Sequence, residues 1–482
     1  METIPVKTLP LYINGQFVNP VTDVGHYAVI NPATEATVAE ILMGSAADAD
    51  LAVKAARAAF PAYSATTIGE RIALMKQLVA VFERRYPQMT EAITTEMGAP
   101  HDLSSSSQAA SGPGHIGETI KAAEELDWES QSGPRGRVVR EPVGVCVLIT
   151  PWNWPMNQIA AKVAPALLAG CTVILKPSEQ APLSAQLFAE FVHEAGFPPG
   201  VFNMVHGTGP TVGHALSVNP EVDMVSFTGS TRAGVQVAKA AADTVKRIAQ
   251  ELGGKSPNII FADADLPAAV KRGVRHCFNN TGQSCNAPTR MLVEDSVYDQ
   301  VVELAVAAGA AVKVGDPTKP GNHIGPLSSK MQFDKVQACI QKGIEEGARL
   351  VLGGPGKPAG FEKGYYVRPT IFADVNNQMS IARDEIFGPV LVLIRFKTIE
   401  EAIAIGNDTP FGLAAYIQTQ DQDKARRVAR KLYAGSVYLN GAGQDYCSPF
   451  GGFKQSGNGR EWGKHGLVEY LESKAINGYD AA

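Results

Sequence analysis

From residue 143 onward, short β-branched runs alternate with segments long enough for a crossover helix, and this alternation restricts the fold more than any other feature of the 482-residue chain. Residues 143–150, 171–175, 201–205, 224–227 and 258–261 read as strands, and 156–168, 183–195, 210–216 and 232–242 between them read as helices. Apolar strands spaced by helices predict an α/β fold with a parallel sheet covered on both faces, a Rossmann-like arrangement. Ligands then belong at the carboxyl ends of the strands. A second strand–helix series begins at residue 290 and includes 390–396, 413–419 and 436–439. The chain exceeds what one core usually serves, so a second large unit is expected.

The N-terminal part carries local signals. Leu11-Tyr-Ile-Asn-Gly-Gln-Phe-Val18 alternates about Asn14-Gly15, which predicts a β-hairpin. Ser45 with Asp48, and Thr67 with Glu70, have capping-box spacing ahead of apolar runs at 51–60 and 72–82, so two helices are expected there. Residues 104–107 are four serines, and with Gly-Pro-Gly at 112–114 they read as a polar, turn-rich interruption.

Charge and cysteine usage narrow the function. A net charge of −5 gives no long-range attraction for nucleic acid or an anionic membrane. Cys146, Cys171, Cys277, Cys285, Cys339 and Cys447 form no CxxC pair, and no histidine cluster has ligand spacing, so neither a disulfide framework nor a metal site is expected. Residues 1–12 lack the apolar core of a signal peptide. The longest uncharged stretch, 142–161, is broken by Pro151, Asn153, Pro155, Asn157 and Gln158, which disfavours a membrane span. A cytoplasmic protein is expected.

The chemistry is expected in Thr281-Gly-Gln-Ser-Cys-Asn-Ala-Pro-Thr-Arg290, a loop between a helix-like run at 266–280 and a short apolar strand at 290–293. Loops held on rigid elements carry function, and Gly282 allows a close backbone approach. Alone, Cys285 reads as a buried structural thiol. Upstream, Gln250-Glu-Leu-Gly-Gly-Lys-Ser-Pro-Asn258 sets Glu251 against a Gly-Gly pair; alone, that glutamate reads as a solvated helix-end charge.

With Pro151-Trp-Asn-Trp-Pro155, Leu175-Lys-Pro-Ser-Glu179, Phe227-Thr-Gly-Ser230, Glu385-Ile-Phe-Gly-Pro389 and Pro449-Phe-Gly-Gly-Phe-Lys454, these stretches resemble the NAD(P)-dependent aldehyde dehydrogenase superfamily, in the family's order over nearly the whole chain. The resemblance implies a cofactor domain at 1–123 and 144–251 and a catalytic domain at 252–466. It also implies a bridging arm at 124–143 and 467–482 that pairs subunits into a dimer or tetramer. In this family Cys285 would be the nucleophile, forming a thiohemiacetal and then a thioester. Its thiol needs activation, expected from the cationic nicotinamide and the backbone-rich loop. Asn153 and the backbone N–H of Cys285 would hold the oxyanion, and Glu251 would activate the hydrolytic water. Acylating relatives generally lack that glutamate, so its presence implies hydrolysis.

The resemblance places Trp152, Lys176, Ser178, Glu179, Gly229, Ser230, Leu252, Glu385 and Phe387 at the cofactor. A glutamate at position 179 would repel a 2′-phosphate, favouring NAD over NADP. Neither Gly229-Ser-Thr-Arg-Ala-Gly234 nor Gly207-Thr-Gly-Pro-Thr-Val-Gly213 matches GxGxxG, a departure the family is known for. The substrate tunnel would be lined by Trp154, Met156, Asn157, Ser284, Asn286, Tyr446, Cys447 and Phe450. These are partly large and apolar, with no lysine or arginine, which implies a neutral medium- or long-chain aliphatic aldehyde; Asp445 nearby leaves a cationic substrate open. The alternatives are a semialdehyde, aromatic or betaine-type aldehyde dehydrogenase, or a non-catalytic structural protein of the same fold.

Overall fold

The apolar runs of the first series are buried along their whole length, as a sheet covered on both faces demands: every residue of Val145–Ile149, Thr172–Lys176 and Met224–Thr228 is buried. The computed structural model describes residues 7–479; the parts of the leader reading at 1–6 and of the arm at 480–482 lie outside the described residues. The first sheet has eight strands, in the order Gly457–Asn458, Arg247–Glu251, Met224–Thr228, Val145–Ile149, Thr172–Lys176, Phe202–Met204, Leu11–Ile13 and Gln16–Val18. Its inner pairs run parallel. The expected hairpin at residues 11–18 closes one edge and Gly457–Asn458 the other, both antiparallel.

Two corrections to the strand reading bear on the site. The strand Arg247–Glu251 escapes notice because its sequence, RIAQE, is mostly polar; pairing with Met224–Thr228 over five residues makes it a strand. The run read at 258–261 belongs to a different sheet. Its strand, Pro257–Ile260, lies between Arg290–Glu294 and Ala414–Gln418 in a seven-stranded sheet, parallel to both. The sheet continues through Val390–Phe396, Thr370–Ala373 and Arg349–Leu352 on one side and Ser436–Leu439 on the other. Glu251 therefore ends a strand of one sheet, and the next sheet begins only a few residues later at Pro257.

Both capping boxes form, Ser45 with Asp48 at the start of Ala46–Ser64 and Thr67 with Glu70 at the start of Ile68–Arg84. The expected interruption at 104–114 is instead helical. Ser104–Ala109 is a π-helix, and Ser111–Glu124 runs straight through Gly112-Pro113-Gly114. Pro113 sits in the first turn, where its missing N–H would have no intrahelical acceptor. The glycines serve approach: a Cβ on Gly112 would lie 2.7 Å from the Phe82 ring, and one on Gly114 2.7 Å from the Tyr446 ring. The segment read as a helix at 210–216 splits into a π-turn at Gly209–Gly213 and a short α-helix at His214–Val218.

Glu129–Ser132, Gly136–Pro142 and Leu471–Asn477 form a separate three-stranded antiparallel sheet, so the two pieces expected for the arm meet each other. No helix among the described residues is long and apolar enough to cross a membrane. Among the same residues no cluster of three or more His, Cys, Asp or Glu side chains is arranged to hold a metal ion.

Candidate active site

Between the helix Leu266–Phe278 and the strand Arg290–Glu294 the backbone turns through three successive left-handed residues, Asn280 at φ 52°, Thr281 at φ 56° and Gly282 at φ 74°. Two of these are not glycine, and such conformations persist only when the surroundings over-determine them. The side chains do this. Asn280 donates from Nδ2 to the carbonyls of Asn153 at 2.8 Å and Gln283 at 3.2 Å. Thr281 donates to Gly325 O at 3.0 Å, and Gln283 donates to Asn280 O at 3.1 Å while accepting from Ser328 N at 2.9 Å. Gly282 admits no side chain, since a Cβ there would lie 2.1 Å from Gly388 O. The loop is clamped, and Cys285 stands half-buried on it.

Cys285 lines two cavities, and this is the central geometric fact of the site. The first, of about 190 Å³, lies at the carboxyl ends of Val145–Ile149, Met224–Thr228 and Arg247–Glu251, where an open parallel sheet takes its ligands. Of the residues expected at a cofactor, Trp152, Gly229, Ser230, Leu252, Glu385 and Phe387 line it, together with Asn153. Trp152 and Phe387 meet edge to face, with ring centroids 5.6 Å apart. Ser230 caps the helix Thr231–Ala241 by accepting from Ala233 N at 3.3 Å. Glu385 accepts from Gly254 N at 2.9 Å, and burial raises its carboxyl pKa. Lys176, Ser178 and Glu179 do not line this cavity; Lys176 ends the strand Thr172–Lys176 and the other two follow it on the same carboxyl edge, with Lys176 Nζ 3.1 Å from Glu179 Oε2. Thr228 and Gly253, which lie within the motifs Phe227-Thr-Gly-Ser230 and Gln250-Glu-Leu-Gly-Gly-Lys-Ser-Pro-Asn258, also line the cavity, as do Gln332 and Lys335, which carry no sequence signal that singles them out.

A dinucleotide suits this wall. A capped helix start, two rings meeting edge to face and a half-buried carboxylate converge on it, and the Thr228 hydroxyl is buried there without a partner.

The second cavity, of about 290 Å³, opens on the other side of Cys285. Trp154, Asn157, Ser284, Asn286, Tyr446 and Phe450 line it. Met156 does not: it is fully buried beside Gly112, because on the helix Pro155–Ala169 it points away from the face that carries Asn157. Cys447 is exposed, in a turn where its N–H donates to Asp445 at 3.1 Å, and does not line the cavity either. Trp462 does line it, stacked on Phe450 with centroids 4.5 Å apart across the bridge that pairs Phe450 with Glu461. Only the fold brings these together, so Trp462 was not singled out by its sequence context. The cavity has no lysine or arginine in its lining, and burial lowers the pKa of His276 to about 4, leaving that ring neutral.

Glu251 ends its strand with both carboxyl oxygens buried and without hydrogen-bond partners, so it is not the solvated charge its local sequence suggests. Burial first, then the nearby charge of Glu461, hold its pKa well above the ordinary carboxylate range against the opposing charges of Lys162 and Arg460. A Cβ on Gly451 would lie 2.7 Å from its Oε1, so glycine there makes room for the carboxylate. Burial also pushes the Cys285 thiol up, with the charges of Glu251 and Glu385 adding to the effect; the backbone N–H groups of Cys285 and Asn286 act the other way. The loop amides alone therefore do not hold a resting thiolate. Asn153 is buried and donates from Nδ2 to Gln283 O at 3.1 Å.

A sequence model described as the aldehyde dehydrogenase family matches residues 18–476. A protein of Pseudomonas sp. named 3-succinoylsemialdehyde-pyridine dehydrogenase is 55% identical, over 98% of each chain. A crystal structure of an aldehyde dehydrogenase from Bartonella henselae superposes with TM-score 0.96 at 50% identity, covering 98% of this chain and 100% of that one. A cysteine-to-alanine variant of aldehyde dehydrogenase C from Pseudomonas syringae, solved with NAD+ and octanal, superposes with TM-score 0.97 at 50% identity, covering 98% and 97%.

Proposed function

This chain belongs to the aldehyde dehydrogenase family, and we propose that it oxidises a neutral medium- or long-chain aldehyde to the carboxylic acid with NAD, through a covalent intermediate on Cys285. The observation that carries this reading is the position of Cys285 at the junction of two cavities, one lined by Trp152, Gly229, Ser230, Leu252, Glu385 and Phe387 and the other walled in part by aromatic rings.

Trp152, Gly229, Ser230, Leu252, Glu385 and Phe387 would hold the nicotinamide half of NAD, and Lys176, Ser178 and Glu179 the adenosine ribose. The carboxylate of Glu179 disfavours a 2′-phosphate. Bound there, NAD supplies the hydride acceptor.

Cys285 Sγ gives its proton to water and adds to the aldehyde carbon, the C=O electron pair moving to oxygen to form the thiohemiacetal oxyanion. The Asn153 amide has two N–H groups; one is committed to Gln283 O, and the other, with the backbone N–H of Cys285, faces the developing oxyanion. Loss of hydride from the same carbon leaves a thioester on Cys285. Glu251, whose raised pKa makes it a stronger base than an exposed carboxylate, takes a proton from water as that water attacks the thioester. The C–S bond breaks, the acid leaves, and the Cys285 thiolate takes up the proton held by Glu251, restoring the thiol.

A cavity with no cationic side chain offers a substrate carboxylate no partner, which supports a neutral substrate. Octanal bound to the P. syringae relative supports the chain-length lean. A second reading is a ring-bearing semialdehyde: Ser106, Ser107, Asn157 and Gln444 offer hydrogen bonds to a heteroatom, and the Pseudomonas sp. relative is named for a pyridine semialdehyde. NADH absorbance with acetaldehyde, butanal, octanal and a pyridyl semialdehyde decides between them. Each added methylene buried against these rings is worth about 0.8 kcal/mol, so kcat/KM should climb along the aliphatic series. A flat or falling trend, with the pyridyl substrate preferred, would replace the first reading by the second. A cytoplasmic homo-oligomer, dimer or tetramer, paired through the three-stranded arm, completes the proposal.

A further inference from the structure

The strained loop that carries Cys285 is restrained in part by a side chain from a distant segment that the reaction does not use. Gln108 is fully buried in the six-residue π-helix Ser104–Ala109, a geometry that is rare and concentrated at functional sites. Its neighbours Ser106 and Ser107 line the substrate-side cavity, while Gln108 lies inward and donates from Nε2 to Asn280 Oδ1 at 3.0 Å. The chemistry of the neighbours settles which way both amides point. Asn280 donates to two carbonyls, those of Asn153 and Gln283, so the atom on that side must be its nitrogen; its oxygen then faces Gln108, which has to be the donor. The same Gln283 carbonyl receives the amide of Asn153. Gln108 also leaves its own Oε1 buried and unpartnered, and among the described residues its side chain makes one other hydrogen bond, a weak one to Met97 Sδ at 3.4 Å. An apolar residue of the same shape would avoid that penalty, so the glutamine is explained by its donor.

The geometry points to Gln108 as a positioning residue. It locks Asn280, and through Asn280 sets the spacing between the Asn153 amide and Cys285, so that the cavity wall and the nucleophile loop form one rigid unit. This rests on the reading of Cys285 as nucleophile and Asn153 as oxyanion donor.

The test is Gln108→Met, similar in length but without a donor, in the full-length enzyme. Because misplacement of a reacting group by about 1 Å costs on the order of 100-fold, kcat should fall roughly 10- to 100-fold while KM for the aldehyde moves less than about threefold. Alkylation of Cys285 by iodoacetamide, followed at that residue by peptide mass spectrometry, should become faster as the loop loosens. In an Asn280→Gly background, which removes the amide yet tolerates the left-handed backbone, adding Gln108→Met should change neither readout further. Should Gln108→Met not fold, Gln108→Glu, an acceptor only when ionised, is read in the same way. Wild-type kcat and alkylation rate in the variant, or equal losses in both backgrounds, would overturn the proposal; a merely structural role would lower Tm alone. If the wild-type protein oxidises no aldehyde, the functional reading fails, and the alkylation arm still tests the restraint.

Discussion

Asn153 donates its side-chain amide to the backbone carbonyl of Gln283, 3.1 Å away and two residues before Cys285. The residue proposed to hold the oxyanion is thereby fixed to the loop that carries the nucleophile. Asn153→Ala should lower kcat by about 100- to 1,000-fold, the usual cost of losing one such donor. Steady-state kinetics with octanal measures this; a variant within threefold of wild type would remove Asn153 from the chemistry.

Among the described residues the two cavities share Gln158 and Cys285, and of these only Cys285 is a nucleophile. Cys285→Ala is expected to abolish NADH production and leave NAD binding intact, as read by fluorescence titration. Residual turnover above background would move the covalent step to another residue.

Glu251→Gln should stop the reaction at the thioester, visible in stopped flow as a burst of about one NADH per active site followed by slow turnover. The base acts only when ionised, and its pKa is raised, so wild-type deacylation should increase with pH through a range above that of an ordinary carboxylate. The glutamine variant should lose that limb.

The same shift has a stability consequence. A carboxyl whose folded pKa exceeds its unfolded value favours folding while protonated, and that contribution is lost as pH rises from the unfolded to the folded pKa. Glu251→Gln should therefore raise Tm at neutral pH relative to wild type and show little difference near pH 4, where Glu251 is protonated in the folded protein. Equal Tm differences at both pH values would mean that the burial cost of this charge is offset by other means.

Two glycines should respond in opposite directions. Gly282 has φ +74° and a Cβ there would strike Gly388 O at 2.1 Å, so Gly282→Ala should cost at least about 2 kcal/mol in urea unfolding. Gly117 lies in the helix Ser111–Glu124 with nothing within 4 Å of its Cβ position, so Gly117→Ala should be neutral or stabilising by up to about 1 kcal/mol.

Much of the architecture is legible in the sequence, and particular residues show why. The capping boxes at Ser45 and Thr67, the hairpin about Asn14-Gly15 and the apolar strands Val145–Ile149 and Met224–Thr228 are local signals, written within a few residues of where they act. Arg247–Glu251 does not read as a strand because its strand character comes from a neighbour's hydrogen bonds, and Gly112-Pro113-Gly114 reads as an interruption although its turn residues serve ring packing inside a helix. Met156 and Cys447 adjoin the right motifs, yet helix phase and a surface turn aim them elsewhere.

The sequence by itself determined the alternation of elements and the residue types at Cys285, Glu251 and Asn153, because backbone preference and motif spacing are properties of adjacent residues. Only the tertiary structure decided that Cys285 opens on two cavities, that Glu251 is buried and unpartnered, and that Gln108 restrains the loop from a distant helix. Burial, electrostatic shift and hydrogen-bond direction depend on groups brought together from far along the chain, and no local pattern records them.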